Sequence, residues 1–277
     1  EVPKDLIDGQ SFNTNPADIV LDDSSMTISF LKENMSIDLG GMSKGYVSQI
    51  IADHLNDLGV KFLLNNGNSN IVAGGVNPNN VDGLYYIALT KPSTDAEIVS
   101  SYFIYLKIPE DMAVVSSGNY QRFFKGIDDH LVYHHIIDPF TYYPGGDSMS
   151  VTIIYPDSGL SDILSTAIYL LDQADALAFV ESYPDLEAIW YDYNGTYTYS
   201  SGFEQYIYLL ENDQKMQKYL GDTSTVKSEV DNLVKLRNEA AHGNLDQILS
   251  SSEIDKIADF IKIFMLSLSI VVERSIM

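Results

Sequence analysis

The feature that most constrains the fold is the run Ile37-Asp38-Leu39-Gly40-Gly41-Met42-Ser43-Lys44-Gly45-Tyr46, in which adjacent glycines join an expected strand end to a helix start. Paired glycines let the backbone approach a ligand closely, and the first turn of a helix presents free N–H groups and a positive dipole end to an anion. The run therefore predicts a phosphate-binding turn, with Asp38 as a buried carboxylate. Taken alone, glycines in such a position more often serve only the turn.

Composition narrows the classes of function. The chain has 277 residues, enough for one or two domains with substantial cores, and its formal net charge is −23. Such a charge should repel nucleic acid and anionic membranes, so an anionic ligand would need a divalent cation or backbone N–H groups. The absence of cysteine from the sequence excludes disulfides, thiolate nucleophiles and cysteine zinc sites.

Hydrophobic periodicity predicts an α+β fold, because helices and strands interleave without a strict βαβ rhythm. Residues 19–37 alternate like half-buried strands around a turn at 22–25. A helix is expected at 43–58, where an apolar stripe should pack on a sheet; its members are Val47, Ile50, Ile51, Leu55 and Leu58. Further strands are predicted at 62–64, 71–73, 84–89, 102–108, 113–115, 131–137, 149–155, 188–193 and 197–199, and helices at 161–171, with Ser161 as N-cap, and at 174–182.

The composition changes after Leu210. Residues 211–225 are polar and are interpreted as a linker, and residues 226–277 as an all-α helical extension. The chain begins at Glu1 without an initiator methionine or a secretory pattern, which suggests a fragment or a processed chain. The apolar stretch 260–272 is too short to cross a bilayer comfortably, so a packed helix is expected there.

Four further segments follow the glycine run in a fixed order. They are Asn65–Ile71, Ser116–Phe124, His134–Thr141 and Asp162–Ala167. Together with residues 38–46, they resemble the signature blocks of the FAD:protein FMN transferases, the ApbE family. The resemblance extends from about Pro16 to Leu210. It implies an ApbE-like core of mixed sheet and helix in residues 1–210, as a partial domain that lacks an N-terminal portion of the family.

A carboxylate and a hydroxyl in the last segment suit a metal ion. Asp162 and Thr166 are spaced i, i+4 on the expected helix, so they project one turn apart from the same face. Oxygen ligands of this kind suit Mg²⁺, which keeps positions for substrate phosphates and water. The family resemblance implies the carbonyl of Gly41 as the third ligand. In the alternative interpretation Asp162 only favours the helix N-terminus, and Thr166 fills a surface position.

Two histidines adjoin the Ile-Ile-Asp-Pro sequence. His134 and His135 follow one another in the expected strand, so their imidazoles should point to opposite faces. The resemblance implies that His135 lies at the flavin and acceptor site and is catalytic together with Asp162, whereas His134 is interpreted as structural. Asp138 is expected to orient a loop N–H. The residues assigned to FAD are Asp38, Lys44, Asn65, Ser117, Gly118, Tyr120, His135, Ile137 and Asp138.

The resemblance also implies a reaction. FAD is bound, Mg²⁺ bridges its diphosphate, and a threonine hydroxyl of an acceptor protein attacks the FMN phosphorus and releases AMP; water in its place hydrolyses FAD to FMN and AMP. His135 is the candidate for taking the acceptor's proton. The family setting is extracytoplasmic and membrane-associated. Two residues depart from the family pattern: Asn119 replaces the more usual aspartate, and Tyr142 replaces a glycine.

A second resemblance lies near the C-terminus. Leu236–Gly243 resembles the Arg-Asn-x-x-x-His motif of the HEPN helical family, over about residues 226–272. It implies a ribonuclease that uses Arg237 and His242, and only this interpretation makes RNA a partner. One alternative is a helix end capped by Gly243. Another is a truncated, noncatalytic flavin-binding or interaction module that forms a homodimer through its C-terminal helices.

Overall fold

The computed structural model describes residues 7–9, 12–94, 102–126 and 132–210. Its helices are α1 Ser43–Asp57, α2 Ser158–Leu170 and α3 Gln173–Ser182. Its strands are β1 Ile19–Asp22, β2 Thr27–Phe30, β3 Phe62–Asn66, β4 Asn70–Gly74, β5 Tyr85–Thr90, β6 Tyr102–Ile108, β7 Met112–Gly118, β8 Phe123–Lys125, β9 Val132–His134, β10 Ser148–Tyr155, β11 Glu187–Asp192, β12 Tyr197–Tyr199 and β13 Ile207–Leu210. The predicted α+β class is confirmed for these residues.

Six antiparallel strands form the central sheet, in the order β12-β11-β10-β7-β4-β3. A three-stranded antiparallel sheet, β13-β6-β5, lies beside it, and β1–β2 and β8–β9 are separate hairpins. The turn of the β11–β12 hairpin contains Gly195 at φ +83°, as its Asn-Gly signal predicts.

Two apolar cores lie on opposite faces of the central sheet. Val151 and Ile153 of β10 pack with α2 and α3, whereas Ile154 belongs to the core shared with the three-stranded sheet. In β7, Val115 and Val114 divide in the same way between the two cores. Because successive side chains of a strand point to opposite faces, β7 and β10 contribute buried residues to both cores and hold the layers together.

Helix α1 is where the predicted packing is wrong. Its buried residues are Gly45, Ser48 and Ala52, and the expected stripe faces solvent over most of its length, with Leu58 63% exposed. The reason is steric. A Cβ on Gly45 would lie 2.2 Å from the carbonyl oxygen of Ser158, so the small face of α1, and not its large apolar one, permits close contact with α2.

The N-terminal hairpin also differs from expectation. Strand β2 ends at Phe30 instead of Ile37, and most residues of both strands are exposed instead of half-buried, because the pair adjoins neither sheet. Asp38, expected to be buried, is exposed and lies in an irregular segment before the glycines. Alternation of apolar residues therefore identified the strands without identifying what they pack against.

Two boundaries around the predicted site need correction. Helix α2 begins at Ser158 and not near Ser161, because Asp157 is the N-cap and accepts a 2.7 Å hydrogen bond from the Leu160 N–H. The strand expected at 131–137 is shorter, because the chain leaves β9 at His134 and turns back through a bridge between Ile137 and Pro144.

The predicted linker at 211–225 and helical extension at 226–277 lie outside the described residues, as does the proposed homodimer contact. No helix within 7–9, 12–94, 102–126 and 132–210 has both the length and the apolar character that a membrane span requires.

Candidate functional site

The carboxylate of Asp162 joins α2 to the first turn of α1. Its Oδ2 accepts a 2.8 Å hydrogen bond from the backbone N–H of Gly45, and the residue is 5% exposed. The N-cap of α1, Met42, provides no capping hydrogen bond, so Asp162 supplies from another helix what a local cap would supply. The glycine run and the predicted metal ligand are thereby fixed to one another.

A cluster of hydroxyl groups adjoins that carboxylate. Thr166 Oγ1 donates a 3.1 Å hydrogen bond to the carbonyl of Asp162 and lies 3.2 Å from Ser117 Oγ. Ser117 Oγ also lies 2.8 Å from Ser165 Oγ. Gly41 is close to this cluster, since a Cβ built on it would be 3.9 Å from Thr166 Oγ1. The end of β7, one face of α2 and the turn before α1 thus meet at one place.

The donor chemistry of this place fits Mg²⁺. Oδ2 of Asp162 accepts the Gly45 N–H, so Oδ1 would be the oxygen offered to a cation, and the Thr166 hydroxyl and the predicted Gly41 carbonyl would be its neutral ligands. Within the described ranges, no group of three or more His, Cys, Asp or Glu side chains is arranged to hold a metal. The predicted ligand set is instead one carboxylate with neutral oxygens, and such a set keeps room for phosphate oxygens and water.

Basic groups converge on the same region. Lys44, on the first turn of α1, donates a hydrogen bond to the hydroxyl of buried Ser69. Burial lowers the pKa of His135, and the positive charges of Arg122 and Lys44 lower that pKa further, while a hydrogen bond to the Arg122 backbone opposes the change. Lys44, Arg122 and His135 therefore lie close enough for their charges to interact, in a chain whose net charge is −23.

The two histidines divide as predicted. His134 is buried, its Nδ1 accepts a 3.3 Å hydrogen bond from the Ile136 N–H, and its ring meets Tyr169 edge-on at 5.9 Å. Burial lowers the pKa of His134, and the neighbouring His135 lowers it further. The His135 side chain is accessible to solvent, so only this imidazole faces the open side of the turn, but it is desolvated in part, and that partial burial is what lowers its pKa. His134 is thus engaged within the fold, and His135 remains the candidate for proton transfer.

The turn after β9 is ordered by Asp138, as expected. Its Oδ1 accepts hydrogen bonds from the N–H groups of Phe140, at 2.7 Å, and Thr141, at 3.2 Å. Tyr142 adopts φ +64°, a left-handed conformation that glycine adopts at low cost. The turn thus keeps a glycine-like backbone although tyrosine replaces the glycine of the family pattern.

Some predicted cofactor contacts have local structural roles. Asn65 closes the β3–β4 turn, accepting a 2.9 Å hydrogen bond from the Asn68 N–H, and Asp38 accepts a 2.7 Å hydrogen bond from the Gly40 N–H. Tyr120 packs on the core shared with the three-stranded sheet and covers Gly118, and burial raises its pKa. The four predicted contacts Asp38, Asn65, Gly118 and Tyr120 thus help to hold the loops of the site in position.

Sequence reasoning missed several residues that contact the site. Asn66 donates hydrogen bonds to the Lys44 carbonyl, at 3.3 Å, and to Ser48 Oγ, at 3.1 Å. Ser69 contacts Lys44, and Arg122 lies close enough to His135 to affect its pKa. Asn66, Ser69 and Arg122 all belong to the quoted signature segments, so position within a block was the available signal.

Asn119, which stands where aspartate is more usual, is fully buried. Its amide nitrogen donates to the hydroxyl of Tyr193, whereas its Oδ1 has no partner within the described residues. The phenol of Tyr169 is likewise buried, and burial raises its pKa, as do the neighbouring Tyr193 and Asp147. A neutral amide at position 119 avoids burying a carboxylate charge beside these phenols.

Comparisons with known proteins agree on the region around this site. The ApbE family model matches residues 3–190, and a RiboL-PSP-HEPN model matches residues 188–274. An FAD:protein FMN transferase of Klebsiella pneumoniae (strain 342) is 31% identical over 64% of the chain and 52% of its own length. One of Treponema pallidum (strain Nichols) is 30% identical over 59% of the chain and 46% of its own length. The chain spans about half the length of the curated relatives it matches.

Solved structures extend the likeness to the fold. The ApbE protein of Thermotoga maritima has a TM-score of 0.59 at 25% identity, over 70% of this chain and 60% of its own. The flavin transferase ApbE of Vibrio cholerae has a TM-score of 0.55 at 26% identity, over 69% of this chain and 58% of its own. The HEPN match begins within residues that form β11, β12 and β13 here, so its first part is mainly β-strand in this chain.

Proposed function

Because the chain belongs to the ApbE family, we propose that it transfers the FMN portion of FAD to a threonine hydroxyl of an acceptor protein, in an Mg²⁺-dependent reaction that releases AMP. The names of the curated relatives, FAD:protein FMN transferase, support the class of reaction. The acceptor, the threonine and the metal are part of the proposal, as is an extracytoplasmic, membrane-associated setting.

One arrangement supports the proposal: the Asp162 carboxylate bonds to the first turn of α1, where Lys44 is also located, and Thr166 lies beside both Asp162 and Gly41. Asp162, Thr166 and Gly41 would hold the Mg²⁺ ion. When bound, the ion neutralises negative charge on the diphosphate and on the departing AMP. Lys44 and Arg122 add positive charge on the protein side.

Individual side chains transfer the proton and position the metal ligand. His135, kept neutral near pH 7 by its lowered pKa, accepts the proton of the attacking hydroxyl. The threonine oxygen then forms a bond to the FMN phosphorus as the bond from that phosphorus to the AMP oxygen breaks, and AMP leaves. Ser117, whose hydroxyl also contacts that of Ser165, holds Thr166 through a hydroxyl contact, so that the Thr166 oxygen keeps a fixed position.

The test is incubation of the full chain with FAD, Mg²⁺ and a threonine-containing acceptor. Covalent flavin fluorescence on the acceptor and stoichiometric AMP are the expected products, and chelation of Mg²⁺ with EDTA should abolish both. Tight FAD binding without AMP release would favour the competing hypothesis of a noncatalytic flavin-binding module.

A second candidate function is favoured by the RiboL-PSP-HEPN match to residues 188–274. The segment that resembles the HEPN motif would cleave RNA independently of FAD, with Arg237 and His242 as its candidate residues. RNA cleavage by the full chain that disappears in H242A, while AMP release from FAD persists, would support a second activity. If the full chain does not cleave RNA, the proposed second activity is excluded.

A further inference from the structure

The side chain of Lys44 is attached to a hydroxyl from another segment. Its ammonium donates a hydrogen bond to Oγ of Ser69, which lies in the turn between β3 and β4. An ammonium has donors and no acceptor, so Ser69 Oγ is the acceptor of this hydrogen bond. Lys44 is exposed, whereas Ser69 is only 8% exposed. A flexible cation at the surface is therefore joined to a buried group.

Two hydrogen bonds fix the position of Ser69. Its backbone carbonyl accepts a 2.8 Å hydrogen bond from the Ser116 N–H of β7. Its hydroxyl donates a 3.1 Å hydrogen bond to Oδ1 of Asn70, which is fully buried in β4 between β3 and β7. Because the hydroxyl has one proton and Asn70 accepts it, the lone pairs of Ser69 Oγ are left for the ammonium. The hydroxyl is thus oriented as an acceptor by the sheet itself.

The orientation of the Asn70 amide has a cost. Its Nδ2 is buried and has no hydrogen-bond partner among the residues that the structure describes. Buried donors without a partner are uncommon, because they lose their hydrogen bonds to water and gain none in exchange. The amide nevertheless points Oδ1 towards Ser69, as the hydroxyl proton requires. Local arrangements that are unfavourable in themselves are concentrated at functional sites.

Both ends of the Lys44–Ser69 contact adjoin the predicted metal ligands. Lys44 directly precedes the glycine whose N–H binds the carboxylate of Asp162. Ser69 bonds to the residue before Ser117, and the Ser117 hydroxyl lies 3.2 Å from Thr166 Oγ1. The ammonium is therefore attached within the same convergence of α1, α2 and β7 that contains the candidate site.

We propose that Ser69 is a positioning residue for the dinucleotide: its hydroxyl, oriented by Asn70, holds the Lys44 ammonium beside the metal ligands, where the diphosphate of FAD is expected. The proposal rests on the proposed function. A lysine side chain loses much rotamer freedom when it is immobilised. Because Ser69 imposes part of that loss during folding, less of it remains to oppose the binding of FAD.

A double-mutant cycle with Lys44 tests this role. The dissociation constant of FAD for the full chain is measured by flavin fluorescence anisotropy in EDTA, and AMP release is measured with Mg²⁺. We expect S69A to weaken FAD binding roughly two- to tenfold, with a matching rise in KM and an unchanged kcat. In K44A the same substitution should have no further effect. S69T keeps the hydroxyl and should bind FAD like the unmodified protein.

A second buried serine provides the matched control. Ser200 is 1% exposed, and its hydroxyl likewise bonds to a charged side chain, that of Glu187. S200A should leave the dissociation constant of FAD unchanged. Urea denaturation of S69A and S200A compares the effect of each lost hydroxyl on the free energy of unfolding. Should S69A be unstable, S69C keeps the side-chain volume with a weak acceptor, and the cycle is repeated with it.

Three results would overturn the assignment. An unchanged dissociation constant in S69A would do so. An equal loss of binding with and without Lys44 would show that Ser69 does not act through the ammonium. Tighter binding of FAD by S69A would show that Ser69 holds the ammonium away from the ligand. If the unmodified protein neither binds FAD nor releases AMP, the proposed function itself fails, and that outcome is distinct from all three.

Discussion

The backbone N–H of Gly45 donates a 2.8 Å hydrogen bond to Oδ2 of Asp162, across 117 residues of sequence. This hydrogen bond gives one carboxylate two tasks, because it caps α1 and leaves its second oxygen for the proposed Mg²⁺. A helix start and a metal ligand are therefore not independent here. Substitutions at either residue can separate the two tasks.

Replacing Gly45 with alanine should disturb both the start of α1 and the proposed Mg²⁺ ligand. The added Cβ would lie 2.2 Å from the Ser158 carbonyl oxygen and 2.5 Å from the Asp162 Cβ, neither of which can move freely. Alanine favours helix by up to about 1 kcal/mol. We expect overpacking, at about 1–3 kcal/mol, to outweigh that gain. Urea denaturation should show a lower free energy of unfolding, and AMP release should fall with it.

Gly41 offers the matched control. A Cβ there would meet only Thr166, at an ordinary distance of 3.9 Å, and the backbone carbonyl would remain. G41A should therefore keep both stability and AMP release within about twofold of the unmodified protein. If G41A is as impaired as G45A, the site needs the open space around Gly41. That result would contradict the assignment of the Gly41 carbonyl as the functional group.

Asp162 should show its two tasks through two substitutions. Asparagine retains an oxygen that can accept the Gly45 N–H but loses the charge for Mg²⁺, so D162N should fold normally and lose roughly a hundredfold or more in kcat. Alanine removes both, so D162A should also be less stable, by about 1–3 kcal/mol. Mg²⁺ titrations of AMP release, beside urea denaturation, measure the two effects. A D162N protein with normal Mg²⁺ dependence would exclude Asp162 as a ligand.

The pH dependence of kcat/KM should report His135. Because burial and nearby positive charge lower its pKa from the ordinary value of 6.5, the neutral imidazole persists to lower pH, and the acid limb of the profile should lie below 6.5. R122A removes one positive charge, so the pKa should rise and the limb should move towards 6.5. H135Q should abolish the limb along with most activity. An unmoved limb in R122A would show that another group titrates.

Lys44 is expected to bind the diphosphate of FAD. K44A should raise KM for FAD roughly three- to tenfold, with a smaller effect at high salt, because screening already weakens the interaction of an exposed charge. The effect on the free energy of unfolding should be small. K61A alters an exposed lysine just before β3 and controls for net charge. Equal changes in K44A and K61A would indicate a general charge effect instead of a contact.

The sequence predicted the elements of the fold better than their packing. Periodicity located α1 within a residue of its end, but it could not show that Gly45, Ser48 and Ala52 would form the buried face, since that choice depends on the backbone of α2. For the same reason the cap from Asp162 could not be predicted, because it joins residues far apart in sequence. The predicted N-cap of α2, Ser161, was wrong, because Asp157 caps the helix.

At the site, family blocks pointed to the segments, and local chemistry predicted some burial and hydrogen bonding that the structure contains. The division between His134 and His135 followed from strand alternation, and the capping by Asp138 followed from its position before proline. Asn66 and Arg122 were missed because a single amide or guanidinium within a block has no spacing signature. Their contacts, with Lys44 and with His135, appear only once distant segments are folded together.

The outward apolar face of α1 has a practical consequence for handling the chain. In dilute buffer its strong negative charge should keep molecules apart, but the Debye length falls from about 30 Å at 0.01 M salt to about 8 Å at physiological ionic strength. As the repulsion shrinks, the exposed apolar side of this helix can attract other molecules. Added salt, which dissolves many proteins better, should here drive colloidal clustering.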